Sequence, residues 1–118
     1  MTLQTNSQKM ARAAYECIIH QQFGGRKATD EFRSFAREFP SLIHSCGLAQ
    51  AVAFAKAKKR NEYLSHLTAV IQVAWHGQLS DLGESTRTLS VTAYVRLSRH
   101  ALQAAGWLKR YVEATEEA

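Results

Sequence analysis

This chain is poor in the residues that break or staple small folds. Among its 118 residues there is one proline, Pro40, and there are two cysteines, Cys17 and Cys46. Two thiols cannot make a disulfide framework or a four-thiolate zinc site. No stretch is apolar for long enough to cross a bilayer, and the opening MTLQTNSQKM has no apolar signal core. No segment alternates apolar and polar residues for long, so no strand is expected. A phosphate-cradling glycine loop and a nucleophile in a strained turn are both missing. There is no internal repeat, low-complexity tract or linker. These absences point away from secreted scaffolds, membrane proteins and nucleotide-binding enzymes. They point toward a soluble protein of the reducing cytoplasm, without a cofactor.

Apolar types make up 46% of the chain and charged types 21%. That is enough for one real core and too apolar for a disordered chain. Between the glycines stand Ala, Leu, Gln, Arg, Lys and Glu, all helix formers. The expectation is a single all-α domain over residues 1–118, a compact bundle of five to six helices with a long C-terminal helix. A first helix from Ser7 to Gln22, capped by Asn6 or Ser7 and ended by Gly24-Gly25, turns Met10, Ala13, Ala14, Cys17 and Ile18 inward. A second, Thr29 to Phe39, buries Phe32, Phe35, Ala36 and Phe39. Pro40 suits the first turn of a third, which stops at Gly47. A fourth covers Leu48 to Lys59 and a fifth Arg60 to His76, with Leu64, Leu67 and Ile71 inward and His66 on its flank. The last runs from Thr86 to Glu113, with Tyr94, Leu97, Ala101, Ala104, Ala105, Leu108, Tyr111 and Val112 on one face.

Candidates for chemistry are few. Cys17 and His20 are three apart and could ligate a metal from one helix face, but Cys17 lies on an apolar stripe and reads equally as a small core residue. His44 and Cys46 point in different directions if helical. None of the five histidines has a nucleophile in a strained turn nearby, and no enzyme activity is expected.

The cations say more. Lys and Arg number 15 against 10 Asp and Glu, a net charge of +5, which suits a polyanionic partner. Lys56, Lys58, Lys59 and Arg60 form a cluster in AKAKKRNE. It reads as a solvated helix end favoured by the macrodipole, or as a contact for a phosphate backbone. At about 100° per residue, Arg96, Arg99, Gln103 and Arg110 share a stripe opposite the apolar seam. Trp107 lies beside that stripe, as core, as a base-stacking ring or as a plug for a partner's pocket. Gly106, unfavourable in a helix by about 1 kcal/mol, suggests close approach by something.

Two stretches carry a family likeness. FPSLIHSCGLAQAVAF, Phe39 to Phe54, and YVRLSRHALQAAGWLKRYVEA, Tyr94 to Ala114, resemble the small helical subunit of the Cmr effector complex, the fifth subunit of type III-B CRISPR systems. The matching pattern is Phe39-Pro40, Leu42-Ile43 and Gly47-Leu48 with Gln50-Ala51, closing with Trp107, Leu108, Lys109 and Arg110. The resemblance implies a non-catalytic subunit that stacks in several copies beside the backbone and large subunits. There it lines the groove where crRNA pairs with target RNA. It places RNA contact at Lys109 and Arg110. Charge and helical phase add Arg96, Arg99 and the Lys56, Lys58, Lys59, Arg60 cluster, with Arg37 a further candidate. The alternative is a protein–protein spacer whose cations meet acidic neighbours.

Overall fold

The computed structural model describes residues 4–19 and 30–116. Among these it contains six helices and no strand: α1 (Asn6–Ile19), α2 (Asp30–Cys46), α3 (Leu48–Ala57), α4 (Asn61–Gln72), α5 (Leu82–Thr88) and α6 (Val91–Glu116). The expected helix end at Gly24-Gly25, the start at Thr29 and the candidate ligand His20 lie outside the described residues.

The inward stripes are where the spacing put them, but several boundaries differ. The first helix is capped one residue early. Thr5 Oγ1 accepts from the Gln8 amide at 3.1 Å while Gln8 Oε1 accepts from the Thr5 amide at 2.8 Å, a reciprocal box that satisfies two free donors. Pro40 does not open a helix; α2 runs straight through it. The ring deprives the Ala36 carbonyl of its partner, at a cost of about 3 kcal/mol. Phe39 at 0% and Ile43 at 6% exposure offset that, each being worth about 2 kcal/mol or more when buried. The true break is Gly47, whose φ of +86° is easy only for glycine. Its amide closes α2 on the Ile43 carbonyl (2.8 Å), and its carbonyl opens α3 by accepting from Ala51 (3.1 Å). Gly47 offers α3 no side-chain cap, so Tyr94 supplies one from α6: its hydroxyl oxygen accepts from the Ala49 amide at 3.1 Å.

The single long helix expected from Thr86 is two. Asp81 caps α5, accepting from the Gly83 and Glu84 amides at 3.0 and 3.5 Å. Leu89 then turns extended, and Ser90 Oγ accepts from the Ala93 amide at 3.3 Å to start α6. Between α4 and α5, Gln72 ties the loop down. Its amide nitrogen donates to the Gly77 carbonyl (2.6 Å) and its oxygen accepts from Leu79 (2.8 Å).

The core is built around α6, which packs along α1 and α2 and against α4, while α3 lies against α2, α4 and α5. Leu97, Ala101, Ala104, Ala105, Leu108 and Val112 are fully buried. The alanines let neighbouring helices come close, and the leucines fill the space between them. On the far side an aromatic cluster surrounds Tyr63, with Phe32, Phe35 and Phe39 ring centroids 5.8, 5.3 and 5.0 Å away. His66 is a correction. Expected on a flank, it is buried, with its ring edge-on to Phe32 at 5.7 Å.

Candidate nucleic-acid interface

The cluster at residues 56–60 is the corner between α3 and α4. Lys59 donates to the Lys56 carbonyl (3.0 Å) and Arg60 to the Ala55 carbonyl (2.9 Å). This paired closure of a helix end normally places glycine at the left-handed position. Here Lys59 occupies it, with φ +59°, the only non-glycine residue with positive φ among those described. A Cβ in that conformation costs roughly 1–2 kcal/mol.

The helix phase and the turn send the four cations to different tasks. Lys56 crosses to α5, where its ammonium lies 2.9 Å from Asp81 Oδ1. A Cβ on Gly83 would stand 2.7 Å from that Nζ, so the lysine is laid over a residue with no side chain. The hydrogen bond from Lys56 is the main reason that the Asp81 carboxyl titrates below its ordinary range. Arg60 reaches back to α2, Nη1 2.7 Å from Glu31 Oε2, with its guanidinium carbon 5.9 Å from the Phe35 ring centre. Lys58 is exposed, its ammonium 5.6 Å from the Phe54 ring centre. Lys59 is exposed and forms no ion pair among the described residues. Of four cations in five residues, then, two are paired with acids on other elements and two have no ion-pair partner among the described residues.

On α6 the charges are less committed. Arg96, Arg99 and Arg110 are exposed, Lys109 is half-buried, and none forms an ion pair among the described residues. Arg37 is half-buried on α2. Trp107 is half-buried and stacks on Tyr111, with centroids 5.9 Å apart and planes at 19°. Tyr111 in turn meets Tyr15 edge-on at 5.6 Å, so the indole begins an aromatic ladder onto α1. Among the described residues nothing comes within 4 Å of where a Cβ on Gly106 would stand. No close approach between those residues explains that glycine.

Cys17 is buried, and loss of solvent raises its thiol above the ordinary value, with Glu16 adding to the effect. His44 and Cys46 are exposed. No three His, Cys, Asp or Glu side chains among the described residues are grouped to hold a metal, and no helix among them is long and apolar enough to cross a membrane.

Sequence reasoning missed the anions that hold Lys56 and Arg60. Asp81 had a visible signal, since Asp81 followed by Glu84 is a helix-start pattern. Glu31 had none, because its partner lies 29 residues away in sequence. Also missed were Val91 and Val95, which are 80% and 44% exposed on the outer side of α6.

The family model described as CRISPR-associated protein (Cas_Cmr5) matches residues 6–115. A curated relative, the CRISPR system Cmr subunit Cmr5 of Thermus thermophilus, is 32% identical over 115 residues, which cover 98% of this chain and 99% of the relative. The crystal structure of a CRISPR-associated Cmr5 family protein, also from Thermus thermophilus, is similar throughout. Its TM-score is 0.79 at 30% identity, covering 94% of this chain and 97% of that one.

Proposed function

The chain belongs to the CRISPR-associated Cas_Cmr5 family and is a Cmr complex subunit, and we propose that its part in the complex is to hold RNA rather than to act on it. Several copies stand side by side along the paired crRNA and target RNA in the cytoplasm, next to the backbone and large subunits. Each grips sugar–phosphate without reading bases, because pairing with the guide already supplies sequence. A single contact of this kind is weak, and repetition along the row multiplies it.

The observation that favours RNA contact is Lys59. A lysine held where glycine would be easier, exposed and with no ion pair among the described residues, is strain kept at a surface, and such strain concentrates at functional positions. Lys58 and Arg110 are exposed and Lys109 is half-buried, and none of the three has an ion-pair partner among the described residues. Arg37, Arg96 and Arg99 are lesser candidates, and Lys56 and Arg60 serve chiefly to brace the corner that presents Lys59.

Lys59→Gly in the assembled complex tests this cleanly, because glycine relieves the backbone while removing the charge. The variant chain should be more stable, and the complex should bind target RNA less tightly. Its salt dependence should be shallower by about 0.7 in the log–log slope for each phosphate that is no longer neutralised. If Lys59→Gly, Lys58→Ala, Lys109→Ala and Arg110→Ala together left affinity and slope unchanged, the chain would be a protein–protein spacer.

A further inference from the structure

Two faces of the chain are apolar, open and unlike each other. One is the start of α6. Val91, Thr92, Val95, Arg96 and Arg99 border a shallow depression of about 360 Å³. Val91, Val95 and Arg99 follow one another at four-residue intervals, a ridge of the kind that seats between the ridges of another helix. None of the described residues covers it, although a valine left 80% exposed forgoes most of the stabilisation that its burial would contribute.

The other face lies between α2 and α3. Phe35, Phe39, Leu42 and Phe54 line a groove of about 270 Å³, rimmed by Glu38, Ser41 and Ser45. Its volume is just below the ~300–1,000 Å³ of ligand clefts, and its walls are mostly hydrocarbon, which suits aliphatic side chains better than a polar ligand. Glu38 also borders the adjoining depression, with Asp30, Glu31 and Ser34. The exposed edge of α2 is thus acidic on a chain whose net charge is +5. Of the cations nearby, Arg33 and Arg37 on α2 itself are half-buried, Arg60 is paired with Glu31 and Lys58 lies over the Phe54 ring. Asp30 and Glu38 have no ion-pair partner among the described residues.

A ridge of two valines with two arginines, and an aromatic groove edged by Glu38 with Asp30 in the depression beside it, match in both polarity and charge. Neither depression is lined by a residue of the other, so the chain does not cover one with the other. We propose that the α6 ridge of one copy docks in the α2–α3 groove of the next, Val91 and Val95 entering the groove and Arg96 and Arg99 meeting Glu38 and Asp30. The proposal rests on the reading that copies stand side by side, and adds which faces meet. Because the faces differ, the contact is heterologous, and it repeats as a row or ring rather than as a two-fold pair. It also moves Arg96 and Arg99 from the RNA to the neighbouring copy.

The test uses the full isolated chain in a Cys46→Ser background. Val95→Cys and Ser45→Cys are made on separate, differently tagged chains, mixed at high concentration and mildly oxidised. A disulfide between the two variants should form at least tenfold faster than either makes with itself. No excess of the mixed product overturns the proposal. Charge reversal gives a second measurement by sedimentation. Arg96→Glu with Arg99→Glu on one chain, or Asp30→Lys with Glu38→Lys on another, should each abolish self-association, and mixing the two should restore pairing. Reversed chains that associate like the unmodified protein, or a mixture that stays monomeric, overturn it. All of these positions are exposed, and thermal unfolding of each variant checks that it folds. The broader reading fails separately: if the chain does not copurify with other Cmr subunits, side-by-side placement in the complex is wrong whatever the disulfides show. Copies that associate through other residues overturn only the assignment of faces.

Discussion

Tyr63→Phe should make this protein more stable. Tyr63 is 1% exposed, and its hydroxyl has no hydrogen-bond partner among the described residues. The rings of Phe32, Phe35 and Phe39 crowd its own, and burial alone pushes its phenol far above the ordinary range. A buried hydroxyl left unpaired costs about 1–3 kcal/mol in lost hydration. Removing the oxygen forfeits a handful of dispersion contacts at about 0.1–0.2 kcal/mol each. The net gain is on the order of 1 kcal/mol, which for a chain of this size raises the thermal midpoint by about 4 °C. Urea and thermal unfolding of the isolated chain measure it directly. A loss of about 1 kcal/mol or more would refute the reasoning, because only a hydroxyl that is bonded in solution is worth that much. The partner would then be water in the adjoining cavity of about 140 Å³, which Tyr63 lines together with Arg60 and Lys59.

Two further outcomes follow from single residues. Gly106→Ala should stabilise the isolated chain by up to about 1 kcal/mol, because α6 is helical there and a methyl group meets none of the described residues within 4 Å; destabilisation in thermal unfolding would show crowding at that site. Acid should weaken the fold in two stages, read from the urea midpoint against pH. Burial lowers the His66 pKa below 6.5, with Glu62 partly opposing. The stability it contributes is complete above 6.5 and is lost as pH falls through the folded value. The Lys56 hydrogen bond holds Asp81 below 3.8, so its contribution is complete above 3.8 and is lost at still lower pH. His66→Phe should remove the first stage and Asp81→Asn the second; an unchanged pH profile in either variant would contradict the assignment.

Most of the core was legible in the sequence because helix packing obeys a short-range rule. Met10, Phe39, Leu67, Leu97 and Leu108 are buried where three- and four-residue spacing put them. The boundaries were harder, because they depend on competition between local chemistry and burial. Pro40 carries a strong local signal to begin a helix, but Phe39 and Ile43 on either side of it are worth more inside the core. Thr5, Asn6 and Ser7 are all good caps by residue type, and only the pairing of Thr5 with Gln8, itself a sequence pattern, separates them. Ser90, a similar cap, was hidden inside a run that read as unbroken helix.

The candidate site was legible in charge but not in partnership. Four cations in five residues look equivalent along the chain, and only the phase of α3 and the left-handed turn at Lys59 separate them. The phase of α3 directs Lys56 toward Asp81, 25 residues onward, and the turn carries Arg60 toward Glu31, 29 residues back. Exposed ion pairs of this kind contribute little to stability, so their importance is geometric more than energetic. They fix both flanks of a turn and leave its centre to solvent. A basic cluster therefore sets an upper limit on the charge that a polyanion can meet. How much of it is offered depends on where the acids of the same chain fall, and here they fall so as to offer Lys58 and Lys59.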